Sequence, residues 1–250
     1  MDVLKRWSPT VVVVLAAAAM LVHGPIAQYP HYHEFADVRP LPGLPNAADV
    51  LSNVGFAVVG VWGLIVLRTS GASLPAAAKA GYYVFLCALV LTAFGSSFYH
   101  LAPDNDRLAW DRLPIALACA GLLGAVRAET HESQSRWALP ALVAFAIASV
   151  MWWSYTDAIS VGDLRPYLLL QAAPLVLVPL WQWIARSPRE DRIAFAVAIL
   201  LYAIAKVFEL RDHAVYDALG YVSGHTIKHL LAVAAGAVLT ASLVSKTRRN

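Results

Sequence analysis

The chain has 250 residues, of which 59% are hydrophobic and 14% are charged, and its mean hydropathy is +0.60. An ordinary soluble domain carries about 25% charged residues, so this composition excludes a soluble globular domain and an intrinsically disordered chain. Cys87 and Cys119 both fall inside apolar runs, which argues against a disulfide scaffold and against a cysteine-based metal site. Lipid is therefore the expected solvent for most of the protein.

Eight stretches are long and apolar enough to be predicted as helices that enter a membrane, since a span needs about 20 mostly apolar residues. In chain order they are 10–27, 49–67, 80–100, 108–126, 137–153, 166–184, 193–210 and 225–243. The first is ambiguous, because Lys5 and Arg6 before a short apolar run are typical of a retained helix and equally of a cleaved signal peptide. The predicted fold class is an all-α polytopic membrane helix bundle, with seven core spans plus this N-terminal hydrophobic segment.

The distribution of Lys and Arg predicts the orientation of the spans. The N-terminus and every second loop carry 12 of these residues, and the loops on the opposite side carry 5. This bias predicts that both termini are cytoplasmic. Trp152, Trp153 and Tyr155 are expected to mark the outer membrane interface.

The expected organisation therefore has four parts. They are an N-terminal hydrophobic segment (1–30), an extracytoplasmic connecting segment (31–48), a seven-span domain (49–244) and a basic cytoplasmic tail (245–250). The expected location is the inner membrane of a bacterium.

Polar residues at span depth are costly, so they are functional candidates, and here three helices deliver them to the same predicted outer side. They are Ser96, His100, Asp111, His225 and His229. His225 and His229 are four residues apart, as are Ser96 and His100, so each pair shares one helix face. Three histidines are a ligand set of catalytic zinc, and a nearby carboxylate that does not coordinate can accept a proton from water.

The motifs around these residues resemble those of the alkaline ceramidases, which belong to a wider superfamily of seven-span proteins that includes the adiponectin-receptor-like proteins. The matching stretches are Gly95-Ser96-Ser97-Phe98-Tyr99-His100, Trp110-Asp111-Arg112-Leu113-Pro114 and Gly224-His225-Thr226-Ile227-Lys228-His229, with Asp49-Val50-Leu51-Ser52-Asn53 resembling the start of the first family span. The resemblance covers about residues 46 to 244.

The resemblance implies a zinc ion held by His100, His225 and His229, with Ser96 and Asp111 beside the attacking water. It implies hydrolysis of the amide bond of ceramide or a related N-acyl lipid, giving a free fatty acid and a long-chain base. Asp111 would accept the proton of the water and deliver it to the leaving amine, and Ser96 would orient the water or stabilise the oxyanion.

The chain departs from the family in the segment before the first core span. The eukaryotic relatives carry an acidic, Trp-containing segment that resembles a calcium site, whereas residues 31–46 here contain Glu34, Asp37 and Asn46 but no Trp. A bound calcium is therefore possible but not favoured. His31 and His33 of the same segment are expected to be interfacial residues.

A second polar cluster lies at the outer end of the seventh predicted span. It comprises Lys206, Glu209, Arg211, Asp212 and His213. One interpretation is a wall of the site for the lipid headgroup, and the favoured one is a structural ion pair at the membrane surface, since Lys206 and Glu209 are three residues apart.

Other functions share some of these features. A receptor or signalling protein of the same superfamily would carry the same Ser, Asp and His pattern, and a proton-coupled transporter would also place His and Asp within spans. A structural histidine cluster without metal is the simplest alternative. The membrane and a lipid substrate are the expected partners, nucleic acid is not, and the sequence predicts no oligomeric state.

Overall fold

The structure is a computed structural model that describes residues 3–70, 74–131 and 135–249. These ranges contain ten α-helices and no β-strand. The helices are α1 (Val3–His23), α2 (Ala47–Leu51), α3 (Val54–Ser70), α4 (Ala76–Leu101), α5 (Asn105–Thr130), α6 (Ala138–Ala158), α7 (Arg165–Ile184), α8 (Arg189–Leu210), α9 (Asp212–Leu219) and α10 (Gly224–Arg249).

Seven segments are long and apolar enough to cross a membrane, which confirms the all-α polytopic membrane bundle. They comprise α2 together with α3, then α4, α5, α6, α7, α8 and most of α10. Six of the seven predicted core spans fall inside these helices, and the other, 137–153, begins one residue before α6. The helices extend the predicted spans by up to six residues because the polar first and last turns remain helical. In α1, the apolar part Trp7–His23 is shorter than these seven, and α1 packs against α7.

The first core span is interrupted between α2 and α3, at Ser52 and Asn53. Both side chains donate to the carbonyl oxygen of Asp49, Ser52 Oγ at 2.9 Å and Asn53 Nδ2 at 2.8 Å. Serine and asparagine compete in this way for backbone groups that would otherwise be paired within a helix. The start of this apolar span therefore carries three polar side chains, those of Asp49, Ser52 and Asn53.

Helices α4 and α5 pack against each other more extensively than any other pair of helices in the described residues. A glycine permits their close approach near the end of the bundle where α4 ends and α5 begins, which we call the outer end. A Cβ atom at Gly95 would lie 2.1 Å from the carbonyl oxygen of Trp110, a distance that no side chain tolerates. Only glycine fits this contact. Because Ser96 follows Gly95 and Asp111 follows Trp110, the close approach brings these two side chains to the same place.

Residues 24–46, which we call the covering segment, pass over the outer ends of α4, α5 and α10. Phe35 and Asp37 of this segment are buried. The Arg39 guanidinium donates to both carboxylate oxygens of Asp37, at 2.8 and 2.7 Å. These hydrogen bonds hold the pKa of Asp37 below its usual range. The conformation of the covering segment is therefore stabilised by a hydrogen-bonded pair of its own side chains, as well as by the burial of Phe35 against the bundle.

Two of the residues expected at the membrane interface make contacts inside the protein, and for Trp153 the expectation is wrong. His33 is bonded through both ring nitrogens, to the Tyr99 hydroxyl and to Oδ1 of Asn105, each at 2.8 Å, so it ties the covering segment to α4 and α5. Trp153 is 1% exposed inside the bundle, whereas Trp152 and Tyr155 are exposed as expected. His31 is exposed and pairs with Glu34.

Candidate metal centre

Three buried imidazoles meet at the outer end of the bundle. His100 comes from the last turn of α4, and His225 and His229 from the first two turns of α10. One nitrogen from each ring lies within 4.8 Å of the other two. The structure therefore brings together the three histidines that the sequence singled out, and this buried cluster could hold a metal ion.

The distance between one pair of these nitrogens fits ligands of a tetrahedral ion. Nε2 of His225 lies 3.3 Å from Nε2 of His100. Two nitrogens bound tetrahedrally at about 2.0–2.1 Å from zinc lie about 3.3–3.4 Å apart. The same distance is longer than an ordinary N–H hydrogen bond of about 2.7–3.2 Å. Three imidazoles also leave a fourth position open, as in catalytic zinc sites.

A hydrogen bond to Ser52 fixes the orientation of His229. Nδ1 of His229 lies 2.7 Å from Ser52 Oγ, and that hydroxyl donates its single proton to the carbonyl oxygen of Asp49. Ser52 Oγ therefore accepts from Nδ1–H, and Nε2 of His229 keeps its lone pair. Metal-ligating histidines commonly have such a partner on the other ring nitrogen.

Asp212 positions His225 through the backbone. Its Oδ1 accepts from the backbone N–H of His225 at 2.7 Å, and its Oδ2 accepts from the backbone N–H of Ala36 at 2.9 Å. The carboxylate thus caps the N-terminus of α10, where a negative charge is stabilising, and it also anchors the covering segment. Ser223 Oγ adds a second cap by accepting from the Thr226 N–H at 3.0 Å.

The covering segment encloses His100 and His225. The ring of Phe35 lies 4.7 Å from the ring of His100 and 4.4 Å from that of His225, measured between centroids. Asn46 Nδ2 donates to the carbonyl oxygen of His100 at 2.8 Å. Nδ1 of His100 is buried without a hydrogen-bond partner, so the surroundings fix the tautomer of His229 but leave that of His100 free.

Ser96 and Asp111 lie beside this cluster. Both are buried, their side chains interact, and both line the same cavity as His229. The cavity measures about 490 Å³. The five residues predicted from the sequence are therefore gathered at one place in the fold, with His229 as the imidazole that faces the cavity.

The cavity is polar at one end and apolar at the other. Its outer end is lined by Gln28, Tyr29 and Tyr32 of the covering segment and by charged side chains of α5, α8 and α10, whereas its inner end is lined by side chains such as Phe85, Leu89, Leu122 and Leu239. The lining runs from Asp111 to Leu122 on α5 and from Phe195 to Glu209 on α8, which at about 1.5 Å per residue are rises of about 16 Å and about 21 Å. These depths are about half to about 70% of a hydrocarbon core of about 30 Å.

The second polar cluster of the sequence belongs partly to this cavity. Glu209 pairs with Lys206 on its own helix and with Lys228 of α10, whose Nζ lies 3.0 Å from Oε1. Lys228 Nζ also lies 3.4 Å from Nε2 of His225. All three side chains line the cavity, so the expected ion pair is present, but in the cavity wall instead of at a bare membrane surface.

The acidic residues of the covering segment do not converge. Glu34 pairs with His31, Asp37 with Arg39, and Asn46 with the His100 carbonyl, and each contact uses a different part of the segment. The carboxylates of Glu34 and Asp37 thus have separate protein partners, and Asn46 is bonded through its amide nitrogen.

Sequence reasoning gave no role to Ser52, Asp212 as a cap, Phe35 or Arg112. The signal for Ser52 was a polar run, Asp49 to Asn53, at the start of an apolar span. The Asp212 carboxylate and the Phe35 ring reach the site only through tertiary folding, so the sequence around them gives no comparable signal.

Comparison of the chain with known protein families finds no matching family, and comparison with curated proteins finds no matching relative. The resemblance to the alkaline ceramidases therefore rests on the short motifs.

Proposed function

We propose that the protein is an integral membrane amidase that uses zinc to hydrolyse ceramide or a related N-acyl lipid to a free fatty acid and an amine. The observation that supports this most directly is the convergence of three buried imidazoles, with Nε2 of His100 and Nε2 of His225 3.3 Å apart, beside the polar end of an elongated cavity. An amphiphilic cavity of this kind suits a lipid with its polar group at the histidines and its chain in the apolar half.

His100, His225 and His229 would hold the ion. A zinc ion bound there would act as a Lewis acid and would lower the pKa of a coordinated water to about 7, making a nucleophile available at neutral pH.

The residues of the chain would move the proton. Asp111, buried beside Ser96, accepts the proton of the attacking water as its oxygen bonds to the amide carbon. When the C–N bond breaks, Asp111 returns that proton to the nitrogen, so a neutral amine and a carboxylic acid leave. The Ser96 hydroxyl faces the same carboxylate and orients the water or donates to the developing oxyanion.

The excess of Lys and Arg in the loops opposite the site supports an orientation with the histidines toward the extracytoplasmic side. The membrane we propose is the inner membrane of a bacterium. The lining of the cavity favours hydrolysis over proton transport. The inner half of the cavity is lined by apolar side chains, whereas a proton path needs polar groups along its whole length. A signalling role of the same superfamily remains the second proposal, and it predicts ligand binding without turnover.

Metal analysis and lipid hydrolysis by the purified protein in detergent test the proposal. We expect about one zinc per chain and release of fatty acid from a fluorescent ceramide or another N-acyl lipid. His225→Ala should lose both the zinc and the activity. His131→Ala, which removes a histidine outside the cluster, should keep both. Full hydrolysis by metal-free protein would contradict the proposal, and zinc without hydrolysis of any N-acyl lipid would favour the signalling role.

A further inference from the structure

One cation in the cavity wall has no counter-ion. Arg112 follows Asp111 on α5, is 4% exposed and lines the cavity. Within the described ranges, no carboxylate lies within 4 Å of its guanidinium nitrogens. A buried charge without a partner is costly, and at membrane depth it is a functional candidate by default.

Aromatic rings cover the faces of this guanidinium, but they do not provide partners for its N–H groups. The Trp153 ring lies 3.9 Å from it, and Tyr32 and Tyr167 lie at 5.6 and 5.5 Å. Such cation–π contacts stabilise the positive charge, but the N–H groups of arginine point outward in the plane of the group. A purely structural stack therefore leaves the donors at the edge unused.

The edge of the guanidinium is only partly satisfied. Nη2 donates to the side-chain oxygen of Gln28 in the covering segment. Nη1 is buried without a hydrogen-bond partner, and so is Nε2 of the same Gln28. Two neighbouring donors that both lack an acceptor mark a place for an acceptor that the chain does not supply.

The charged side chains of the cavity wall also do not balance one another. The wall contains three cations, Arg112, Lys206 and Lys228, and two carboxylates, Asp111 and Glu209. Glu209 is shared by the two lysines, and Asp111 faces Ser96. The wall therefore carries one positive charge in excess, and among the described residues Arg112 is the one of its three cations with no carboxylate within 4 Å of its side-chain nitrogens.

Arg112 lies at the polar end of the cavity, where the covering segment closes over it. An amphiphile with its chain among Phe85, Leu89 and Leu239 would place its polar portion at this end. Arginine is well suited to bind a carboxylate or a phosphate through two parallel hydrogen bonds.

We propose that Arg112 binds an anionic group, a carboxylate or a phosphate, carried by the amine portion of the lipid substrate. The preferred substrates are then acidic N-acyl lipids, such as N-acyl amino acids or N-acyl amino-alcohol phosphates, in preference to neutral ceramide. The hydrolysis of such a lipid rests on the proposed function, whereas the anion site rests on Arg112 and Gln28 alone.

Binding of three matched lipids to the purified protein, measured by calorimetry in detergent, tests the anion site without requiring turnover. They are N-dodecanoylglycine, its neutral analogue N-dodecanoylglycinamide, and N-dodecanoylethanolamine phosphate. We expect at least one of the acidic lipids to bind at least about tenfold more tightly than the neutral amide. Tighter binding of the glycine lipid would identify a carboxylate and tighter binding of the phosphate lipid a phosphate; equal affinity for all three would overturn the proposal.

Variants assign the preference to Arg112. In Arg112→Gln the acidic lipids should lose their advantage to within about twofold, and in Arg112→Lys they should keep part of it, because charge remains without the planar fork. If Arg112→Gln does not fold, Arg112→Lys provides the comparison. Arg107→Gln is the control, since Arg107 lies on the same helix but pairs with Asp104 outside the cavity. A preference unchanged by both substitutions of Arg112 would overturn the proposal.

The metal-site variant separates this inference from the proposed function. In His225→Ala the acidic preference should persist, because Arg112 is not part of the histidine cluster. If the preference disappears in His225→Ala but survives in Arg112→Gln, the anion binds at the metal centre and the proposal is wrong. An Arg112-dependent preference without any hydrolysis would support the anion site and contradict the proposed amidase function. Hydrolysis without a preference for acidic lipids would support the amidase function and contradict the anion site.

Discussion

The Ser52 hydroxyl and Nδ1 of His229 lie 2.7 Å apart, although 177 positions separate the two residues in the chain. Since Ser52 donates its proton to the Asp49 carbonyl, this contact leaves the other nitrogen of His229 with a free lone pair. Ser52, at the interruption between α2 and α3, therefore orients one imidazole of the histidine cluster.

Removing this hydroxyl should weaken the centre without removing a ligand. We expect Ser52→Ala to bind zinc about 10–100-fold more weakly, since partners of ligating histidines typically contribute that much. Titration against a competing chelator measures the affinity. Ser149→Ala is the matched control, because Ser149 is a buried serine that donates to its own helix in α6, away from the site. Equal zinc affinities for the two variants would show that Ser52 does not orient His229.

Replacing the proposed proton acceptor should separate metal binding from hydrolysis. Asp111→Asn keeps the size of the side chain and removes its charge, so we expect zinc to remain at about one per chain while lipid hydrolysis falls by about 10²–10⁴-fold. Metal analysis and fatty-acid release on the same preparation make the comparison. Asp104→Asn controls for a lost carboxylate at the exposed start of the same helix. Normal turnover by Asp111→Asn would assign the proton transfer to another group.

The contact between α4 and α5 should tolerate no side chain at position 95. We expect Gly95→Ala to lower the free energy of unfolding by about 1–3 kcal/mol, because its Cβ would meet the Trp110 carbonyl. It should also reduce hydrolysis, since the two helices must separate where Ser96 faces Asp111. Thermal unfolding in detergent measures the first effect.

Gly236→Ala is the control for that substitution. The nearest atom to a Cβ at Gly236 is 3.5 Å away, so we expect it to be neutral or to stabilise α10 by up to about 1 kcal/mol. If both alanine variants unfold at the same temperature, the close approach of α4 and α5 does not limit stability.

The Asp37–Arg39 pair should make attachment of the covering segment sensitive to acid. The hydrogen bonds from Arg39 lower the native pKa of Asp37, whereas the unfolded value is about 3.9. The stabilisation is then fully present well above pH 4, and it is lost as the pH falls from there through the native pKa. Asp37→Asn should therefore unfold at a lower temperature than the wild type at pH 6, and this difference should shrink below about pH 4.

Thermal unfolding at each pH provides the measurement, and Asp217→Asn provides the control, since Asp217 is exposed on α9. A difference between wild type and Asp37→Asn that is constant from pH 6 to pH 3 would show that the carboxylate contributes no pH-dependent stability.

The spans and the histidine cluster were predictable from the sequence because both leave local signals. Long apolar runs define the helices, and His225 and His229 share a face by their spacing alone. His100 could be added because the alternation of spans placed it on the same side of the membrane.

The remaining features depend on contacts between distant segments. Trp153 looked like an interfacial aromatic, and only the packing of α5 against α6 and α7 shows that it stacks on Arg112. His33 likewise looked interfacial until the covering segment brought it onto Tyr99 and Asn105. A side chain that is polar and near a membrane surface has the same local pattern whether it faces lipid or a neighbouring helix.

From its polar mouth the cavity extends about 16 Å to Leu122 on α5 and about 21 Å to Phe195 on α8, which is about half to about 70% of a hydrocarbon core of about 30 Å. A molecule seated in it with its headgroup at the mouth belongs to the monolayer on that side. Lipids of the opposite monolayer would first have to flip, so in asymmetric vesicles the rate should follow the composition of a single monolayer, not the total lipid content. Supply by a flippase could then govern how fast this protein works in its native membrane.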